Sequence, residues 1–232
     1  MIKDYRDIEL TVQRPAPIDR EVVWDKSKVI ISETDIYGRI TNVNDIFCSV
    51  CGYSADELIG QPHSIIRHPD MPKITFKLLW DNLKLGNNFA GVIKNLAKSG
   101  EYYWVITDFE MRRDASGNIT HYIARRKSVP KKVIDNYVTP LYETLLKLEK
   151  IGGMELSARF FKNYLAKQGK DYMDFIIDVM NKNREDAVFE EIPMATFSSN
   201  KEPELVTDDI VTVGVGGSMD EKRKNFFGKL FQ

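Results

Sequence analysis

Residues 91–105, GVIKNLAKSGEYYWV, read as two β-rich arms around the short turn Lys98-Ser99-Gly100. Two extended runs joined by a turn that contains glycine form a hairpin, and side chains then alternate between faces with period two. On the first arm Gly91, Ile93 and Asn95 share a face. On the second, Tyr103 and Val105 share one face, whereas Tyr102, Trp104 and Ile106 share the other.

Toward the C-terminus, EYYWVITDFEMRRD runs to the turn ASGN, and ITHYIARRKSV supplies another antiparallel strand. Toward the N-terminus, KITFKLLWDNLKLG sets Ile74, Phe76, Leu78, Leu79, Leu83 and Leu85 around a helix of about three turns that stops at Gly86. Two shorter helices precede it. In NDIFCSVCGY, Asn44 is placed as N-cap and Gly52 as stop; in SADELIG, Ser54 and Glu57 have capping-box spacing. KVIISE and RITNVN then pair across Gly38. The order predicts an α+β fold: a five-stranded antiparallel sheet with short helices on one face, followed by amphipathic C-terminal helices.

The flanks divide the chain further. Residues 1–27 carry the RPAPIDR segment, whose prolines favour an extended leader or cap over a helix; 28–130 form the sensor-sized domain. Residues 131–183 predict an amphipathic helical extension, in which Pro140 kinks the helix or marks its first turn, Gly152 and Gly153 break it, and two pieces flank Gly169. Residues 184–219 read as a flexible acidic linker. The last segment, 220–232, is basic and aromatic; it is suited to docking on a partner or touching a membrane surface, or to folding back on its own domain.

Bulk composition removes several function classes. With 33 basic and 34 acidic side chains the net charge is −1, so no global field draws the chain onto nucleic acid. The N-terminus is charged within its first four residues, and no run approaches the ~18 apolar residues of a membrane span, so a soluble, cytoplasmic protein is expected. Cys48 and Cys51 cannot by themselves fill a four-ligand zinc site; a redox pair competes with two small buried side chains.

One stretch is chemically dense. Residues 60–72, GQPHSIIRHPDMP, place Arg67, His68 and Asp70 in one tight segment, where a structural turn, a metal site and a clamp for an anionic cofactor are all readings.

The strand-helix order together with ITNVNDIFCSVCGYSADELIGQPHSIIRHPDMP, LLWDNLKLG, GVIKNLAKSGEYYWV and VTPLYETL resembles the flavin-binding PAS domain of bacterial aerotaxis receptors. The resemblance spans residues 28–142. It implies noncovalently bound FAD and a redox or energy-taxis signalling role without turnover. Because no membrane anchor or receptor signalling helices follow, it further implies output to a separate membrane chemoreceptor.

Read against such a cofactor, Arg67 and His68 supply charge and donors for phosphate, and Asp70 positions the turn. Trp80, near the apolar stripe of its helix, stacks on the flavin or fills core. Asn95, if it faces inward, is a buried amide that the pyrimidine edge would satisfy. Asn44 is an N-cap that the family also places near the cofactor. Tyr103 points inward by resemblance, which leaves Trp104 outside as an interface for the N-terminal cap, a second subunit in a homodimer, or the receptor. Two competing readings stand beside the FAD sensor: a cofactor-free PAS scaffold, and a haem-binding oxygen sensor using His63 or His68. A small flavin reductase is a third. Cys48 and Cys51 lie outside the segment where photochemical flavin domains carry their reactive cysteine.

Overall fold

The computed structural model describes Leu10, residues 13–183 and residues 221–231. Five strands, β1 (Ile30–Asp35), β2 (Ile40–Val43), β3 (Ala90–Leu96), β4 (Tyr102–Arg113) and β5 (Ile119–Ser128), form one sheet in the order β2-β1-β5-β4-β3. Every neighbouring pair is antiparallel. Between β2 and β3 lie α1 (Asp45–Cys51), α2 (Ala55–Leu58), a 3₁₀ turn (His63–Ile66) and α3 (Lys73–Lys84).

The local signals act as expected. Asn44 Oδ1 accepts from the backbone N–H of Phe47, and Gly52 ends α1 at φ 74°. Ser54 and Glu57 make both halves of the capping box on α2. Gly86, at φ 74°, closes the turn after α3. One side of the sheet packs Tyr103 and Val105 against Phe47, Leu58, Ile65 and Ile66 of the short helices.

The opposite side is covered by this chain's own helices. After Pro130, a short α4 (Lys131–Val133) passes through a π-helical turn (Ile134–Val138) into α5 (Thr139–Lys167), followed by α6 (Tyr172–Lys182) and α7 (Glu221–Leu230). Pro140 sits in the first turn of α5, where its missing N–H costs nothing. Gly152 (φ −134°, ψ 22°) and Gly153 (φ 70°, ψ −173°) interrupt α5.

Trp104, expected on an outward interface, is 7% exposed and packs against Tyr142 of α5 at a 6.2 Å ring separation. The N-terminal segment takes Tyr102: its N–H donates to Arg20 O, and Val22 N–H donates to Tyr102 O. The face that a homodimer was expected to use is therefore occupied from within the chain.

The basic-aromatic tail also turns inward. Phe226, Phe227 and Leu230 are buried, and Arg223 reaches Asp171 at 2.5 Å and Asp174 at 3.0 Å. Those side chains are thus not presented to a membrane or partner. The acidic linker predicted for 184–219 lies outside the described residues. Among the described residues no helix is long and apolar enough to cross a membrane.

Candidate functional site

A slot opens between the sheet and the segment running from the 3₁₀ turn into α3. Its free volume is about 70 Å³, within a solvent-open recess of about 730 Å³. Alternation on β3 brings Ile93 and Asn95 to it, and alternation on β5 brings Tyr122, Ala124 and Arg126. From the other wall come His63, Arg67, Phe76 and Trp80.

Arg126 dominates the chemistry of this slot. It is 2% exposed, and among the described residues no carboxylate pairs with it. Its Nη1 donates to Ser32 Oγ at 3.0 Å and to Ala124 O at 3.3 Å, and its Nη2 donates to His63 Nε2 at 2.8 Å. Burial lowers its pKa to about 10, so it stays cationic at neutral pH. A buried cation normally needs an anion or a full set of acceptors, and here it has only neutral ones.

His63 accepts from Arg126, so its Nε2 carries no proton. Burial first, then Arg126 and Arg67, hold its pKa well below the ordinary imidazole range. It also stacks on Phe47 at 5.9 Å.

Asn95 is 4% exposed, and its Nδ2 has no hydrogen-bond partner among the described residues. An unsatisfied buried amide is unfavourable by about 1–3 kcal/mol and calls for an acceptor in the slot. Arg67 is bridged to Asn95 through the backbone, and its guanidinium lies 3.8 Å over the Phe76 ring. Arg14 donates to Arg67 O at 3.1 Å and so fastens this turn to the N-terminal segment. Trp80 lines the slot and meets Tyr122 edge-on at 5.8 Å.

The remaining predicted residues lie elsewhere. Although His68 and Asp70 follow Arg67 directly, they turn to the opposite side. His68 is 3% exposed, its Nδ1 accepts from Asp70 N–H at 3.1 Å, and its ring meets Tyr102 edge-on at 6.3 Å. Burial, then the charge of Lys94, lowers its pKa to about 4 against the pull of Asp70. Asp70 accepts from Lys94 Nζ at 3.0 Å.

Asn44 is fully engaged in structure: Oδ1 accepts from Phe47 and Ile31 N–H, both at 3.0 Å, and Nδ2 donates to Val29 O at 2.9 Å. Tyr103 does not line the slot; it is wholly buried, its hydroxyl has no partner among the described residues, and burial raises its pKa well above normal. Neither Cys48 nor Cys51 lines the slot; burial raises the Cys51 pKa to about 11.

Sequence reasoning did not select Arg126 or treat His63 as a wall of this slot. The signal for Arg126 was present in the alternation Tyr122, Ala124, Arg126 on β5, but the run Arg125-Arg126-Lys127 also reads as a solvated basic edge.

The aerotaxis receptor of Escherichia coli (strain K12) is 42% identical over 141 residues, which cover 60% of this chain and 26% of that one. The nitrogen fixation regulatory protein of Klebsiella pneumoniae is 28% identical over 120 residues, covering 52% and 24%. The chain therefore spans about a quarter of the length of these curated relatives. A light-state structure of the blue-light photoreceptor Aureochrome1 LOV aligns with a TM-score of 0.43 at 18% identity, covering 48% of this chain and 88% of that one. A PAS fold family model matches residues 40–125, and the five-stranded sheet with its flanking helices is a PAS fold.

Proposed function

We propose that the chain is a redox sensor that holds FAD noncovalently in this slot and signals to a separate membrane chemoreceptor-type protein. The observation that carries the reading is one inner face presenting a buried cation without a carboxylate, Arg126, beside a buried amide without a partner, Asn95. Both deficits call for an anionic or carbonyl-rich ligand. Similarity to the aerotaxis receptor supports a signalling role over turnover.

When bound, FAD supplies reversible electron uptake accompanied by a change of charge and protonation. Asn95 Nδ2 would donate to a carbonyl of the ligand, and Arg126 would answer negative charge in the slot. Arg67, which lines the slot and stacks on Phe76, would hold phosphate through its guanidinium. Trp80 would cover the ring face. His68, Asp70, Asn44 and Tyr103 would act indirectly, by fixing the walls. Added negative charge would draw Arg126 away from His63 and shift the 3₁₀ turn that carries it. A soluble, cytoplasmic setting fits this role.

The second reading, a cofactor-free scaffold, is favoured by the small free volume of about 70 Å³, since a three-ring system enters only if the half-buried Phe76 and Trp80 move. The visible spectrum of gently purified protein, before and after incubation with FAD, separates the two. Flavin absorption retained through gel filtration supports the sensor; none in either sample overturns it.

A further inference from the structure

The C-terminal helices grip both walls of the slot. From α5, the Glu149 carboxylate accepts from the backbone N–H of Lys73 at 3.0 Å and of Ile74 at 2.9 Å. These are first-turn donors of α3, which Pro72 cannot cap with a side chain. The same helix carries Phe76 and Trp80 into the slot.

On the other wall, Tyr142 Oη of α5 donates to Val92 O at 2.6 Å, and Tyr172 Oη of α6 accepts from Val92 N–H at 3.2 Å. The two hydroxyls are 2.6 Å apart. Since Tyr142 has one proton and gives it to Val92 O, Tyr172 donates to Tyr142. The two hydroxyls and the backbone N–H and C=O of Val92 form a closed relay around one residue of β3. Ile93 and Asn95, on the same strand, line the slot.

Glu149 also spans the break in α5. Ser157, beyond Gly152 and Gly153, lies with its Oγ 3.4 Å from this carboxylate while its single proton is shared with Met154 O at 2.9 Å. One side chain thus joins the N-terminus of α3, the first half of α5 and the second half.

We infer that Glu149 and the Tyr142–Tyr172 pair couple the slot to the C-terminal helices, with Gly152–Gly153 as the joint that yields when α3 or β3 shifts. This inference rests on the reading of the slot as a redox-sensitive cofactor site. A bound group whose charge changes moves α3 through Trp80 and β3 through Asn95, and each movement reaches α5 by a hydrogen bond and not merely by apolar contact, which slides more readily.

The test is backbone amide exchange on the full chain loaded with FAD, oxidised and after dithionite reduction. Wild type is expected to show a redox-dependent difference across the Gly152–Gly153 break and α6. Glu149→Gln and the double variant Tyr142→Phe/Tyr172→Phe are expected to keep the flavin spectrum and lose that difference. Should Glu149→Gln fail to fold, Ser157→Ala leaves the cap on α3 intact and removes the contact across the joint together with the local bond to Met154 O; it is expected to weaken the difference in α6. Variants that respond as wild type does overturn the coupling. A wild type that holds flavin yet exchanges identically in both states overturns the coupling alone, whereas one that takes up no flavin overturns the reading of the slot and this inference with it.

Discussion

Arg126 Nη2 donates to His63 Nε2 across 2.8 Å, so a buried cation is met by a neutral imidazole where a carboxylate would ordinarily stand. The pair is held in place by Ser32, whose Oγ lies 3.2 Å from the same imidazole nitrogen. Arg126 therefore carries a buried positive charge that no carboxylate among the described residues cancels.

Arg126→Met removes the charge and keeps much of the volume. Replacing a buried, incompletely paired ion with an apolar side chain is neutral or stabilising by roughly 1–4 kcal/mol, so the cofactor-free variant should unfold at an equal or higher urea concentration. Flavin affinity should fall about 10- to 100-fold, the equivalent of a charged hydrogen bond. A variant that loses stability and keeps flavin would reverse both expectations.

Asn95→Leu behaves in the same opposed manner for a different reason. It deletes an amide without a partner, which relieves about 1–3 kcal/mol, while the ligand loses a donor. Chemical denaturation of the cofactor-free protein and flavin titration, run side by side, measure the two signs.

Acid should weaken the fold before carboxylates begin to titrate. His63 and His68 both have folded pKa values below the ordinary 6.5, His68 at about 4. Each is favoured neutral in the folded state, so its contribution is complete above pH 6.5 and shrinks as pH falls toward the folded value. Between pH 6.5 and 5 the loss should approach about 1.5 kcal/mol for His68, and His63 adds to it in the same direction. Urea midpoints at pH 7, 6 and 5 check this, and His68→Asn, whose Oδ1 can accept from Asp70 N–H, should flatten the curve.

Gly153→Ala tests the break in α5. At φ 70° and ψ −173° the residue occupies a region open essentially to glycine alone, so a Cβ should destabilise by about 1–3 kcal/mol. Thermal unfolding measures the change. The neighbouring Gly152 is confined by space: a Cβ there would lie 2.8 Å from Leu156 Cδ2.

Arg223→Ala should free the C-terminal helix. The guanidinium is 6% exposed and bonds two carboxylates, and removing one partner from such a site costs about 3–5 kcal/mol when fully buried, less here because Asp174 is 30% exposed. Limited proteolysis should cut the variant faster within residues 221–231 than it cuts the wild type.

Much of the fold was legible because each element carries its own period and punctuation. The Ser54–Glu57 box, the Asn44 cap and the glycines after α1 and α3 are local features whose chemistry completes within a few residues. Strand alternation placed Asn95 on one face with Ile93 and left open which face turned inward; both line the slot. What escaped reading depends on distant partners. Arg67 and His68 are adjacent yet face opposite sides, because one meets Phe76 and the other Tyr102. Asn44 read as a cap, but its further bonds to Val29 and Ile31 tie up the amide that a cofactor would need. Glu149 lies 76 residues from Lys73, and nothing in its own surroundings marks it as the cap of another helix.

The Tyr142–Tyr172 relay has a consequence for recognition. β3 is a terminal strand of the sheet, and its outward peptide groups at Val92 are taken by tyrosine hydroxyls, while Lys94 N–H points to Met71 Sδ at 3.2 Å. At the far border, β2 is four residues long, and Ile40 exchanges backbone bonds with Gly60 and Gln61. At these positions neither border presents free peptide groups to an extended chain, which disfavours growth of the sheet by strand addition there. Partners must instead read side chains on the helical surface, where specificity rests on shape and charge rather than on the shared grammar of the peptide backbone.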